Sequence, residues 1–437
     1  MKEAKLLAKK LIQNASSLNK IKAADKKPKS KSEKILKSIE EYRGRAMFYP
    51  KVMTGRGNGP YLEFADGSVK LDFITGIGVN FLGYSNPSVI KHQIKGICQA
   101  NVYESHLICT DNLEKFLRKT VLLVNKDTNL RHCFPAMSGA MANENAVKIA
   151  FHNSPGRDQI VVFKDAFHGR THLMAQLTDN PSYRVGLPTP FIVHHIPFYS
   201  EKDPKASVKA LSELIKNNKN KIAVLGCEFI QGEGGYAGAP ANYFKELFTL
   251  AKSEGIKIWA DEIQTGGRMI NTFRYRDLGL GSMIDILTLG KMTQVCSTLY
   301  THELNPKPGL LNQTYAGSSA VLGAAEASLD LLSNDKFYGK NKSLDKITTS
   351  LLEELKSLAK KHSDKISNIR NFGGMFAFQY KDGSKDETLQ FLNKLVDNGL
   401  IAFFCGHGPF FVRFLPPVPV LKQKHIKEAV KILEKTL

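Results

Sequence analysis

Two ionisable residues, Asp261 and Lys291, each close a short apolar run, IKIWAD over 256–261 and DILTLGK over 285–291. Each run has the length of a buried parallel strand, and in an open α/β sheet ligands gather just beyond the carboxyl ends of the strands. A carboxylate and an amine at two such ends then face one site. A lysine taken out of water loses the hydration of its charged form, its pKa falls, and it becomes a nucleophile that forms a Schiff base with an aldehyde. A nearby aspartate holds a ring nitrogen protonated. Pyridoxal 5′-phosphate asks for both groups, a lysine for its aldehyde and a carboxylate for its pyridinium, which turns the ring into an electron sink. Taken singly, a lysine after a strand is ordinarily solvated and an aspartate before a helix ordinarily caps it, so the pair needs support from the rest of the chain.

The elements that must position this pair need a large core, and 437 residues are enough for two or three domains. An apolar share of 42% and a charged share of 23% fit a water-soluble globular chain, and no apolar run approaches the roughly 20 residues that span a bilayer. The reading therefore expects no membrane partner. Six cysteines (98, 109, 133, 227, 296 and 405) are scattered without CxxC spacing, and the N-terminal stretch lacks the apolar core of a secretory signal. A reducing cytoplasm and no structural zinc are expected, and no metal site is assigned. The net charge of +20 raises nucleic acid as a partner. Much of that charge sits in residues 1–31, where ten lysines face only Glu3 and Asp25. AKLLAKKLIQNA suits a short amphipathic helix and AADKKPKSKSEK a mobile linker, so a solvated extension is favoured over a nucleic-acid or membrane anchor.

Along the chain, YLEF and SVKLDF flank the Asp66-Gly67 turn and read as a hairpin. Gly55, Gly57 and Gly59 resemble a phosphate loop but precede a strand, so that reading is set aside. Residues 86–124 have helical spacing. Ser138-Gly139-Ala140 opens a helix-like run, and the free N–H groups and positive dipole end of a helix start suit a phosphate, although ordinary capping uses the same residues. After QIVVF comes KDAFHGRTH, in which Phe167 suits stacking on an aromatic cofactor and Arg170 a two-toothed grip on a carboxylate; the plain alternatives are a core Phe and a surface Arg. His168 reads as a loop brace, and His194-His195 lacks ligand spacing. IAVLGCEF is another buried strand, followed by Glu228 and Glu233 about the IQGEGG loop and a helix over 241–254. Strand and helix alternation favours a mostly parallel sheet wrapped by helices. Beyond about 336, a Lys/Glu-rich helix, the strand-like FGGMFAFQY, a further helix and VRFLPPVPV read as a separate α+β lobe, with Arg413 before a Pro-Pro stop.

The ordered set LDFITGIGVNFLGYSNP, SGAMANENAVKIA, FHGRT, EFIQGEGG, ADEIQTGG, LGKMTQ, QTYAG and VRFLPP resembles the class III, fold-type I pyridoxal-phosphate aminotransferases over about residues 46–437. The resemblance implies a large domain with a mostly parallel seven-stranded sheet and a smaller α+β domain. The expected divisions are a basic, partly mobile extension over 1–45, small-domain segments over 46–85 and 336–437, and a cofactor-binding domain over 86–335. It further implies that Lys291 carries the cofactor and shuttles the proton, that Asp261 pairs with the pyridinium, and that Gln264 bonds the ring hydroxyl. Phe167 then stacks on the ring, Ser138, Gly139 and Ala140 hold the phosphate, and Thr314 completes that cradle from the other subunit of a homodimer.

For substrates, the resemblance makes Arg170 and Arg413 the carboxylate binders, with Glu233 neutralising Arg413 when no carboxylate is present. The implied reaction moves an ω-amino group from lysine, ornithine or acetylornithine to 2-oxoglutarate. The alternatives are an enzyme like the glutamate-1-semialdehyde aminomutases, and a retired scaffold that binds nucleic acid through its basic tail. Phe229, Met141 and the Ala316-Gly317-Ser318-Ser319 run depart from the family pattern and bear on pocket shape and subunit contact.

Overall fold

The computed structural model describes residues 2–25, 29–99 and 107–437. These form two compact units, His92–Lys340, and Met1–Lys91 together with Asn341–Leu437.

The larger unit is built on a seven-stranded sheet. From edge to edge its strands are Leu130–Ala136, Cys296–Thr301, Ile286–Leu289, Lys257–Glu262, Ile222–Cys227, Gln159–Phe163 and Ile192–Ile196. Pairing is parallel except about Cys296–Thr301, which runs antiparallel to both neighbours. Central strands such as Ile222–Cys227 and Ile286–Leu289 are buried along their whole length, as their unbroken apolar sequences require. The helix Gly139–His152 lays Ala146, Val147, Ile149 and Ala150 against Ile160, Val224, Trp259 and Ile286 of the sheet. Gly226 is where the ring of Trp259 crosses the neighbouring strand: a Cβ there would lie 2.4 Å from Trp259 Cε3. The indole N–H is satisfied by Thr288 Oγ1 at 3.1 Å. The expected helix near 241–254 is Ala241–Ser253, and Phe229 packs edge-on against its Phe244, with centroids 5.1 Å apart. The spacing over 86–124 becomes the helices Pro87–Ile97 and Asp111–Val124, with residues 100–106 outside the described residues.

The smaller unit has two four-stranded sheets. The expected hairpin pairs Tyr61–Phe64 antiparallel with Val69–Asp72, turning at Gly67 with φ 78°. Residues 55, 57 and 59 lie in and just after the strand Met53–Asn58, and Gly57 is where Tyr84 crosses, 2.7 Å from the position of a Cβ. FGGMFAFQY is divided, because Gly373 takes φ 50° and turns Ile366–Phe372 back onto Met375–Tyr380. The helix Ser343–Lys361 buries Leu344, Thr348, Leu351, Leu355 and Leu358, a stripe at three- and four-residue intervals that packs on Phe376, Phe378 and Phe414.

The basic N-terminal segment is partly docked on this unit. Leu18 enters the core, and Lys22 exchanges two 3.0 Å backbone hydrogen bonds with Val69. The linker expectation over 23–34 meets a helix, Lys29–Arg43, whose Lys/Glu/Ile/Leu content suits one; residues 26–28 lie outside the described residues. Among the described residues no helix is long and apolar enough to cross a membrane.

Candidate active site

The parallel register sets Asp261 beside Thr288 and Glu262 beside Leu289, so Asp261 and Lys291 emerge at the same end of adjacent strands. Between them sits Ile263. Its N–H donates to Asp261 Oδ1 at 3.0 Å, and its side chain lies where a Cβ on either Gly139 or Gly290 would approach within 3.0 Å. One side chain therefore packs against the start of the helix Gly139–His152 and against the turn before Lys291, and glycine at both positions permits it. Cys296 Sγ lies 2.7 Å from a Cβ placed on Gly290. Burial pushes the Cys296 thiol up to about 11, although the Lys291 N–H and charge oppose this.

Lys291 itself holds φ 49° at the start of a short 3-10 turn, Lys291–Thr293. A non-glycine residue in the left-handed region is strained, and such strain concentrates where a side chain must be aimed.

Asp261 is 4% exposed, and its Oδ2 accepts from Asn143 Nδ2 and faces His168 Nδ1, each at 2.8 Å. Asn143 Nδ2 also donates to the His168 carbonyl at 2.8 Å. The loop bearing His168 is braced by Thr178 Oγ1, which accepts from the N–H groups of His168 and Gly169 and donates to the Gly169 carbonyl. Gly169 packs on Ala140, at 2.6 Å from the position of its own absent Cβ. This loop thus reaches both the carboxylate and the helix start.

Glu228 joins two further segments. Its Oε1 accepts from the Phe167 N–H and its Oε2 from the Gly232 N–H, each at 2.9 Å. Burial pushes its carboxyl up to about 7; the charge of Asp261 adds to this, while His168 and the two N–H groups oppose it. Gly232 in turn packs on the Gln264 amide. Gln264 Oε1 is buried and has no protein partner.

The residues singled out from the sequence divide by place. Ser138, Gly139, Ala140, Phe167, Asp261, Gln264 and Lys291 are gathered at one end of the large sheet. Ser138 caps its helix by accepting from Met141 N at 3.2 Å. Phe167 meets Tyr183 edge-on at 6.3 Å, and the Arg170 guanidinium lies 3.8 Å over the same Tyr183 ring. Glu233 stands in the turn between the short strands Ile230–Gln231 and Ala237–Gly238. Thr314 is exposed, in a loop tied to this end by Gln313 Oε1, which accepts from Met137 N at 3.2 Å. Arg413 belongs to the smaller unit, fully buried on the strand Phe411–Phe414 with its guanidinium 5.3 Å over Phe403. Of the departures, Phe229 fills an aromatic cluster with Phe244 and Phe248, and Met141 packs by Ala136, Ala142 and Cys296.

His168, Asn143, Glu228 and Ile263 gain their significance only here. His168 stood in a singled-out motif as a brace; its contact with a residue 93 positions away has no local signature.

These groups fit pyridoxal phosphate. Gln264 supplies an unpartnered buried oxygen for a hydroxyl donor, and Asp261 a carboxylate already oriented by two side chains. The helix Gly139–His152 offers its N-terminus, where the small residues 139 and 140 allow an anion to approach closely.

Comparison with known proteins agrees. Residues 39–437 match the family model described as aminotransferase class-III. The acetylornithine aminotransferase of Bacillus subtilis (strain 168) is 30% identical over 394 residues, covering 87% of this chain and 94% of that one. The acetylornithine/succinyldiaminopimelate aminotransferase of Yersinia pestis is 28% identical over 397 residues, covering 87% and 92%. Among solved structures, a lysine aminotransferase from M. tuberculosis superposes with a TM-score of 0.82 at 23% identity, covering 92% of this chain and 99% of that one, a likeness of fold. With the family model reaching from residue 39 to the last residue, the chain belongs to the class III aminotransferases, enzymes whose cofactor is pyridoxal 5′-phosphate.

Proposed function

We propose that this aminotransferase moves an ω-amino group from a diamino or amino acid to 2-oxoglutarate, giving a semialdehyde and glutamate. Lysine, ornithine and acetylornithine are the leading donors. The observation that carries the reading is the buried Asp261 carboxylate, oriented by Asn143 and His168, at the strand end beside the left-handed Lys291 turn. When bound, pyridoxal phosphate supplies a carbonyl carbon to carry the amine and a ring to delocalise the electrons of a broken C–H bond.

In this reading Lys291 Nζ takes the proton from the donor's reacting carbon and returns one, and the strained turn aims it. Asp261 keeps a proton on the ring nitrogen, and His168 and Asn143 orient that carboxylate through their contacts with its Oδ2. Gln264 Oε1 accepts from the ring hydroxyl, and Phe167 covers one ring face, with its backbone fixed by Glu228. Ser138, Gly139 and Ala140 take the phosphate at the helix start, and Thr314 of a second copy completes the cradle. Arg413 binds a carboxylate of 2-oxoglutarate, Glu233 neutralises that arginine while an ω-amine occupies the pocket, and Arg170 holds the far carboxylate. A cytoplasmic homodimer is part of the proposal.

The test is the visible absorption spectrum of the cofactor-loaded protein and of Lys291→Ala, recorded before and after lysine, ornithine, acetylornithine or 4-aminobutyrate is added separately. The expected result is a visible band that one donor bleaches and 2-oxoglutarate restores, with glutamate released in equal amount. A bleached band that 2-oxoglutarate leaves unrestored removes the acceptor assignment, and a band unchanged in Lys291→Ala removes the lysine.

A further inference from the structure

At the opposite end of the large sheet, two histidines meet head to head. His132 lies on the edge strand Leu130–Ala136, opposite Tyr300, and His302 opens the 3-10 turn His302–Leu304 that follows the strand Cys296–Thr301. Nε2 of His132 is 3.1 Å from Nδ1 of His302, with ring centroids 5.3 Å apart and planes inclined by 35°. Each histidine is anchored by its own element. His132 packs against Tyr300 at 5.5 Å, and the turn bearing His302 is anchored by Leu304, which is buried in the core. Ala136, whose partner Cys296 lies by the Lys291 turn, is four residues along the strand, about 13 Å away.

We propose that His132 and His302 form a two-imidazole chelate for a divalent transition-metal ion of the Ni²⁺, Cu²⁺ or Zn²⁺ class, with water completing the coordination. A tetrahedral ion about 2.0–2.1 Å from each nitrogen separates its two ligands by ~3.4 Å, so binding opens the observed pair by a few tenths of an ångström and turns each ring so that its lone pair points at the ion instead of at the other nitrogen. Imidazole nitrogen selects these ions over Ca²⁺ and Mg²⁺, which prefer oxygen cages. In the ion-free pair one ring donates and the other accepts. On binding, the donor ring moves its hydrogen to its other nitrogen, so both lone pairs face the ion.

The surroundings leave the two nitrogens as the protein ligands. Among the described residues no group of three or more His, Cys, Asp or Glu is placed to hold a metal ion. Arg131 is turned onto the carbonyls of Thr128 and Leu130.

Calorimetric titration of the cofactor-loaded protein with Ni²⁺ tests this, using wild type, His132→Asn, His302→Asn and the double variant. One ion per chain is expected, with affinity falling at least tenfold in either single variant and little further in the double, because one remaining imidazole cannot chelate. Transamination in metal-free buffer is expected to stay at the wild-type level in all three variants, which shows that they are folded. Wild-type Ni²⁺ affinity in either single variant would overturn the proposal, as would losses that simply add in the double.

Discussion

His168 Nδ1 and Asp261 Oδ2 lie 2.8 Å apart in the interior of the large unit, joining a loop to a strand end 93 residues away. Asp261→Asn removes the buried charge and is expected to lower kcat/KM on the order of 10²–10³-fold, the scale of a lost preorganised electrostatic group. His168→Ala removes one hydrogen bond to a charged group, about 1.5–3 kcal/mol, and is expected to cost roughly 10–100-fold. Steady-state kinetics at saturating cofactor checks both. Wild-type kcat/KM in His168→Ala would show that the histidine only braces its loop.

Lys291→Ala is expected to remove the visible band and to lower turnover by at least the ~10²–10⁴-fold that a positioned proton-transfer group contributes. Because the φ of 49° at this position disfavours any side chain, Lys291→Gly is expected to match Lys291→Ala in activity while melting at a higher temperature. Differential scanning calorimetry of the two variants decides. A lower melting temperature for the glycine variant counts against a strained turn.

Glu228 gives a pH signature. Its folded-state pKa, raised to about 7 by burial, stands above the ordinary glutamate value of 4.5. Between these values the folded chain keeps a proton that the unfolded chain has lost, so this group's contribution to stability is fully present below about pH 4.5 and declines as pH rises through 7. Glu228→Gln cannot titrate. The stability of wild type relative to this variant, measured by urea unfolding, is expected to fall as pH rises from 4.5 to 7. A difference independent of pH would refute the shift.

Gly226→Ala puts a methyl group 2.4 Å from Trp259 Cε3 in the middle of the sheet. Overpacking of this kind costs typically ~1–3 kcal/mol. Urea unfolding of the variant is expected to show a lower midpoint with an unchanged slope. An unchanged midpoint would mean that the indole shifts freely, breaking its 3.1 Å bond to Thr288.

Much of the scaffold was legible in the sequence because its signals are local. Apolar runs marked Gln159–Phe163, Ile222–Cys227, Lys257–Glu262 and Ile286–Leu289 as buried strands, and Asp66-Gly67 marked the hairpin turn. Periodicity did not divide FGGMFAFQY, whose second strand is created by a glycine turn inside an otherwise strand-like run. Nor did composition place Leu18 and Lys22, since a lysine-rich stretch reads as solvated until Val69 offers its unpaired N–H and carbonyl.

The sequence alone determined the chemistry available to this protein. A lysine and an aspartate at two strand ends, a small-residue helix start and the ordered motifs around them are properties of residue type and spacing. Only the tertiary structure decided which groups act on one another. The parallel register put Asp261 and Lys291 at one end of the sheet, the packing of Ile263 tied both to the helix start, and His168, Asn143 and Glu228 became partners of residues far away in the chain. The physical reason is range: side-chain type and period act over a few residues, whereas a hydrogen bond or a buried charge depends on distance in space, which is fixed only once the sheet is assembled and water has been excluded.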